Sequence, residues 1–158
     1  MDRRRICTVI LTLLTQVLVA AQVADPLVGV WVLDVSASTS TGGMPSASTL
    51  TITPSGSETL RFEIRDTFDG RAQQPWGFVA GRAGSETPVT PATFIDSVAT
   101  TRRQERSSAL ILKKGGVAVS EMSTEVSEDG LTLVVTSKAT APNGDTVSGT
   151  SVYRRQPS

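Results

Sequence analysis

The stretch LRFEIR, residues 60–65, alternates strictly between apolar and charged side chains. Successive side chains of a β-strand point to opposite faces, so Leu60, Phe62 and Ile64 share one face and the charged residues share the other. A strand that is buried on one face and solvated on the other is typical of an antiparallel sheet. The stretch therefore predicts an antiparallel sheet that covers an apolar interior.

Short runs of the same kind continue along the chain and are separated by turn residues. Gly115-Gly116 and Asn143-Gly144 are the clearest turns, because both pairs accept the positive φ values of two-residue hairpins. The pattern predicts strands at 28–35, 48–53, 58–65, 73–80, 95–103, 107–113, 117–126, 131–139 and 146–154. Many short strands without intervening helices predict an all-β sandwich or barrel. About eight to ten strands favour a single antiparallel up-and-down β-barrel, whose closure removes exposed edges.

The facing of one strand changes along its length. In the run 117–126 the apolar positions are odd-numbered up to Val119 and even-numbered from Met122. One extra residue in a strand inverts its facing, so the slip predicts a β-bulge near residues 120–121.

A further stretch, residues 131–135, predicts the facing of a late strand. Leu131, Leu133 and Val135 have the spacing of side chains that share one face of a strand.

The stretch Asp66–Gly70 resembles a calcium loop faintly, but it lacks the six or more oxygen ligands that such a site needs. We therefore expect a turn there and no metal.

The first 21 residues differ in character from the rest. Residues 1–5 carry three arginines, residues 6–20 are mainly apolar, and Val19-Ala20-Ala21 offers small residues for cleavage before Gln22. The apolar run of about 16 residues is shorter than the ~20 needed to span a bilayer. The pattern predicts a cleavable signal helix over 1–21, followed by one barrel domain over 22–158. We expect a secreted or periplasmic protein with no stable membrane insertion after cleavage.

Composition excludes several classes of function. The 15 Lys and Arg balance the 15 Asp and Glu, which gives no electrostatic case for binding nucleic acid. The chain has no His, and its single Cys, Cys7, lies in the predicted signal peptide. A Ser-His-Asp triad and a His-ligated metal are therefore impossible, and no P-loop, nucleophile elbow or dinucleotide motif occurs. We predict a monomeric protein that is not an enzyme, with no catalytic residue, no metal and no cofactor.

Four motifs occur in an order that is informative. The chain opens with Gly29-x-Trp31-x-Leu33 and continues with Trp76-x-Phe78, the stretch VSEDGLTL at 126–133 and the terminus VYRRQ at 152–156. In this order they resemble the motifs of small secreted bacterial lipocalin-like proteins of uncharacterised function. The resemblance spans nearly all of residues 25–156 and implies a calycin-type barrel without a known activity.

The resemblance also implies a structural role for four residues. In lipocalins the Trp of the Gly-x-Trp motif closes one end of the barrel and packs under a basic residue near the end of the last strand. The corresponding plug here would consist of Gly29 and Trp31, with Arg154 and Arg155 as the candidate partners. In the alternative interpretation Trp31 belongs to the core and both arginines are solvated, and either role is structural.

The apolar faces of the predicted strands indicate where a ligand would lie. Small barrels are either packed solid or hold one ligand. We predict that a small apolar molecule binds against five side chains, which are Phe62, Ile64, Trp76, Phe78 and Met122. The alternative is a structural or interaction protein of the cell envelope with a filled barrel and no ligand. An apolar cavity of about 300 Å³ or more would favour the binding protein.

The last strand bears on which ligand is expected. Fatty-acid-binding proteins are related in shape, and many hold the ligand carboxylate with an Arg-x-Tyr pair in that strand. Here Tyr153 is present, but Ser151 stands two residues before it. This departure predicts that fatty acids are not preferred over neutral analogues.

Overall fold

The computed structural model describes residues 25–141 and 143–157. The predicted signal peptide, residues 1–21, lies outside the described residues. Within them, no helix has the length and apolar character needed to cross a bilayer.

The described residues form twelve β-strands and one short 3₁₀ helix, Val35–Ala37, which lies between the first two strands. The strands are β1 Gly29–Leu33, β2 Thr39–Ser40, β3 Ala47–Pro54, β4 Leu60–Phe68, β5 Arg71–Ala72, β6 Trp76–Ala80, β7 Glu86–Pro88, β8 Ser97–Arg103, β9 Ser107–Lys114, β10 Val117–Val126, β11 Thr132–Thr140 and β12 Thr146–Arg155. Each of the predicted runs corresponds to one of these strands.

The strands form one antiparallel sheet in the order β5-β4-β3-β1-β12-β11-β10-β9-β8-β7, with β2 paired to β12 and β6 paired to β4. Strand β1 pairs with both β3 and β12, which joins the first strand to the last. At the two ends of the sheet, the Thr87 hydroxyl of β7 donates a hydrogen bond to the Val79 carbonyl of β6. The predicted all-β, antiparallel up-and-down barrel is therefore confirmed.

The barrel interior holds the apolar core, as the alternation in 60–65 predicts. Leu60 and Phe62 of β4 are buried and Ile64 is half-buried, whereas Arg61 and Arg65 are exposed. The rings of Phe62 and Phe78 stack with their centroids 4.8 Å apart, because β4 and β6 pair these two residues directly. One face of the sheet is thus packed inward and the other faces water.

The facing predictions for β10 and β11 have different outcomes. The register between β9 and β10 shifts between Ala118 and Ser120, which confirms a β-bulge beside the predicted position. Leu131 was expected to share a face with Leu133 but is 58% exposed. It precedes β11 and stays in the turn, because its backbone N–H donates to the Asp129 carboxylate.

The predicted turn at 66–70 is shorter in the structure. Strand β4 continues to Phe68, and the reversal takes place at Asp69 and Gly70, whose φ values are 48° and 75°. Positive φ at two consecutive residues is characteristic of a two-residue hairpin turn. Asp66 therefore lies in the strand, and it continues the inward-facing positions of Phe62 and Ile64.

Candidate ligand-binding site

A cavity of about 270 Å³ lies in one half of the barrel interior. The five side chains predicted to line a ligand cavity all line this one: Phe62, Ile64, Trp76, Phe78 and Met122. Its volume is just below the ~300 Å³ that marks the lower end of ordinary ligand sites. It equals the share of about nine waters at ~30 Å³ each, so it suits a small organic molecule.

One wall of the cavity is aromatic. The ring of Trp76 lies 6.0 Å from that of Phe78 and 4.8 Å from that of Phe94, with an edge-to-face arrangement in the second pair. Phe94 lies in the loop between β7 and β8 and is 57% exposed. The wall therefore extends from the buried core to the surface. The sequence does not predict the position of Phe94, because a loop has no periodicity that would show which way it faces.

The cavity also has polar lining residues. Asp66 lies on β4, the strand that pairs with the aromatic β6, and three serines, Ser120, Ser137 and Ser151, lie on the adjacent strands β10, β11 and β12. The residue types at 66–70 predict a turn at Asp66, although the even-numbered phase that begins at Leu60 indicates its inward position. Among the described lining residues Asp66 carries the negative charge, and neither Lys nor Arg is present.

Tyr153 also borders the cavity from β12. Burial raises the pKa of its phenol above the ordinary value, and the nearby charge of Asp66 adds to this effect, whereas a hydrogen bond with Ser48 opposes it. The two hydroxyl oxygens lie 3.3 Å apart. The phenol is therefore neutral near pH 7 and offers a hydroxyl group rather than a charge.

The other half of the barrel is filled, and Trp31 is completely buried there. Its indole N–H donates to the Leu27 carbonyl at 3.0 Å, and the guanidinium of Arg155 lies 4.1 Å from the ring centroid. A cation at this position over an indole face contributes about 0.5–2 kcal/mol. Gly29 has no side chain where a Cβ would collide with the Arg155 guanidinium. The structure thus brings Gly29, Trp31 and Arg155 together at one end of the barrel.

Arg155 also ties this end of the barrel together. Its guanidinium donates to the carbonyl oxygens of Gly130, Val28 and Pro26 at 2.6, 2.7 and 2.6 Å. These three carbonyls belong to the segment before β1 and to the turn before β11. One side chain therefore links the start of the described chain to a hairpin turn.

Arg154 is not part of the plug, which corrects its candidacy as a partner of Trp31. Consecutive strand residues point to opposite faces, so Arg154 points outward. It donates to the Asp34 carboxylate at 3.2 Å and to the Thr132 hydroxyl at 2.9 Å. Hydrogen bonds from Ser36 and then from Arg154 hold the pKa of Asp34 below its ordinary value.

A second depression, a groove of about 390 Å³, lies over the outward-facing side chains of β9, β10 and β11. Ile111, Glu121 and Lys138 represent its mixed chemistry. It is larger than the interior cavity, but it lacks aromatic side chains and lies on the solvated face of the sheet. The interior cavity is the better candidate for a ligand site, because small-molecule sites are concave and mainly apolar with a few polar groups.

The described residues contain no group of three or more acidic, His or Cys side chains placed to hold a metal ion. The cavity contributes hydroxyl groups, one carboxylate and an aromatic wall. This arrangement can bind and orient a molecule through apolar contact and hydrogen bonds.

Comparison with known proteins identifies the fold. No protein-family model and no curated protein matches the sequence. Among solved structures, the fluorescent protein UnaG has a TM-score of 0.55 and 15% identity, over 82% of this chain and 97% of that one. The zebrafish ileal bile acid-binding protein in complex with cholic acid has a TM-score of 0.51 and 14% identity, over 83% of this chain and 99% of that one. At these identities the similarity concerns architecture alone, and the chain shares the antiparallel up-and-down β-barrel fold of these two proteins.

Proposed function

We propose that this barrel binds a small, largely apolar molecule and catalyses no reaction. The observation that carries the proposal is the interior cavity with its aromatic wall. A barrel of this size can be packed solid by its own side chains. Here Trp31, Leu110 and Leu133 are fully buried, whereas Trp76 is half-buried beside a cavity of about 270 Å³. One of the similar structures holds cholic acid, which supports a ligand-binding use of this fold.

The chemistry of the cavity supports binding rather than catalysis. Catalysis of proton transfer needs a positioned acid or base whose pKa suits the task, and His most often serves. The chain has no His. Asp66 has neither a second carboxylate nor a basic side chain among the described lining residues, so no acid–base pair is formed.

We further propose that the mature protein acts outside the cytoplasm, as a secreted or periplasmic protein of the bacterial lipocalin-like kind that its motifs resemble. The support is the order of features over residues 1–21, where a charged start precedes an apolar run and small residues. A barrel whose mature part contains no Cys is also suited to an oxidising compartment.

A fluorescence titration tests the binding proposal. The probe is N-phenyl-1-naphthylamine, an uncharged aromatic molecule whose emission increases in apolar surroundings. We expect saturable binding to the wild-type barrel with a parallel change in tryptophan emission. Trp76→Leu should weaken binding strongly, because it removes the largest apolar surface of the cavity wall.

The matched control is Ile111→Ser, which alters the outer groove and leaves the cavity unchanged. Binding that survives Ile111→Ser and is lost in Trp76→Leu supports the interior site. Loss in Ile111→Ser with retention in Trp76→Leu would move the site to the outer groove. Absence of saturable binding to the wild type would favour the structural or interaction protein.

A further inference from the structure

Asp66 is an exception on the inward face of β4. The preceding inward residues of that strand are Leu60, Phe62 and Ile64, and all of them pack in the core. Asp66 continues this row and lines the cavity. Asp66 is half-buried, so a ligand that fills the cavity would remove the remaining hydration of its carboxylate, and this loss is unfavourable unless the ligand offers the charge a partner. The position therefore raises the question of which group offsets the charge.

The described part of the protein provides no such partner. Its ion pairs use other carboxylates, as in Glu63 with Arg65 and Glu86 with Lys113. The Asp66 carboxylate makes no hydrogen bond or ion pair with any described residue, although its backbone carbonyl accepts from Gln73. The adjacent Arg65 lies on the outer face of β4, where it binds Glu63.

The surroundings of Asp66 also have the polarity of a site for a cation. Ser137 and Ser151 line the same cavity, and their hydroxyl groups make no hydrogen bond within the described residues. A hydroxyl oxygen has lone pairs that accept from an ammonium group. The Trp76 ring on the aromatic wall offers a π-face, which also attracts cations. A ligand carboxylate, in contrast, would meet the like charge of Asp66.

From this arrangement we infer that the ligand is a small amphipathic amine. Its apolar body packs against Trp76 and Phe78, and its positively charged nitrogen pairs with Asp66. This inference rests on the proposed function, since it names the class of molecule that the cavity holds. It also extends the expectation from Ser151, because a cation is favoured and a carboxylate is disfavoured by the same charge.

A displacement series tests the inference. Decylammonium, 1-decanol and decanoate share one apolar chain and differ in the charge of the head group, and each is titrated against bound N-phenyl-1-naphthylamine at constant ionic strength. We expect decylammonium to bind about tenfold more tightly than 1-decanol, as a charge-assisted hydrogen bond provides, and decanoate to bind most weakly.

Asp66→Asn keeps the shape of the side chain and removes its charge. It should abolish the preference, so that decylammonium and 1-decanol displace the probe from this variant with equal affinity. The matched control is Glu63→Gln, which removes a carboxylate from the outer face of the same strand and should leave the tenfold preference intact. The thermal midpoint of Asp66→Asn should equal or exceed that of the wild type, since the variant loses a charge without a partner.

Three results would overturn the inference. They are equal affinities for decylammonium and 1-decanol, an unchanged preference in Asp66→Asn, or an equal loss of preference in Glu63→Gln. In each of them the probe still binds, so the proposed function stands. If the probe itself does not bind, both the proposed function and this inference fail.

Discussion

Two neighbouring arginines at the end of β12 allow a sharp test of the barrel plug. Arg155 points inward over Trp31 and donates hydrogen bonds to three backbone carbonyls. Arg154 points outward and pairs with Asp34. The substitutions Arg155→Met and Arg154→Met remove the same charge from adjacent positions and keep a long apolar side chain. Any difference between them therefore measures the contacts rather than the net charge.

The structure gives an expected magnitude for each variant. A hydrogen bond from a charged group contributes about 1.5–3 kcal/mol, and a cation over an indole adds about 0.5–2 kcal/mol. Because Arg155 is only half-buried, water replaces part of what is lost. We therefore expect Arg155→Met to lower the free energy of unfolding by about 3–5 kcal/mol, which is at or below the lower end of the summed contributions of about 5–11 kcal/mol. Arg154 is 57% exposed, and such surface ion pairs contribute about 0–1 kcal/mol.

Urea denaturation followed by tryptophan fluorescence measures the difference. With a slope of about 2 kcal/mol per molar urea, Arg155→Met should lower the midpoint by about 2 M and Arg154→Met by less than about 0.5 M. Arg155→Lys keeps the positive charge but lacks the planar fork that reaches three carbonyls, so it should recover little of the loss. Equal urea midpoints for the two methionine variants, or a wild-type midpoint in Arg155→Lys, would refute the role of Arg155 in stabilising the end of the barrel that contains Trp31.

Further predictions concern the core, an ionisable side chain and the N-terminus. Trp31→Ala should destabilise the barrel by about 3–5 kcal/mol, whereas Arg61→Ala on the solvent-exposed face of β4 should change stability by less than about 0.5 kcal/mol. Equal urea midpoints for the two variants would contradict the predicted facing of β4. Tyr153 is the sole tyrosine of the chain, so its phenolate absorbance should titrate above pH 10 in the folded protein and near pH 10 in denaturant. Because the folded state holds this proton more tightly, stability should be retained below about pH 10 and fall as the pH rises through the folded pKa, and Tyr153→Phe should lessen that fall. The exported protein should begin at or near Gln22 by N-terminal sequencing, and an intact residue 1 would contradict the predicted cleavage.

The longer strands of the barrel could be predicted because each one repeats its alternation several times. The LRFEIR stretch shows the facing of β4, and the phase slip after Val119 shows the bulge in β10. The short strands β2, β5 and β7 span two or three residues, which is too few for a period of two to be visible. Their positions depend on partners elsewhere in the chain, as in the pairing of Thr39 with Thr150.

The residues of the candidate site could likewise be predicted where they lie on a strand with a clear alternation, and could not where they lie in a loop or resemble a turn. Trp76 and Phe78 could be placed at the cavity because they lie on a strand with a clear phase, whereas Phe94 reaches the wall from a loop. Asp66 was missed for a different reason, since Asp followed by Asp-Gly at 69–70 is typical of a turn. The side-chain type predicted a turn and the strand phase predicted an inward position, and pairing with β3 decided in favour of the strand.

The division of the barrel into a filled half and an open half has a cause in three neighbouring strands. Near the closed end, Val126, Leu133 and Tyr153 are paired across β10, β11 and β12, and all three are buried. Two inward positions further along, Ser137 is paired with Met122 on one side and with Gly149 on the other. The inward side chains of β11 and β12 thus become smaller away from the plug, whereas Met122 keeps β10 apolar, and the backbone ladders continue unbroken. Interiors pack densely wherever side chains can fill them, so the small residues of β11 and β12 leave a cavity. The aromatic residues of β6 therefore line this cavity instead of packing against large side chains. The same exchange on β11 and β12 places the hydroxyl groups of Ser137 and Ser151 on the cavity that Asp66 also lines, so one feature of the sequence accounts for both the volume of the site and part of its polarity.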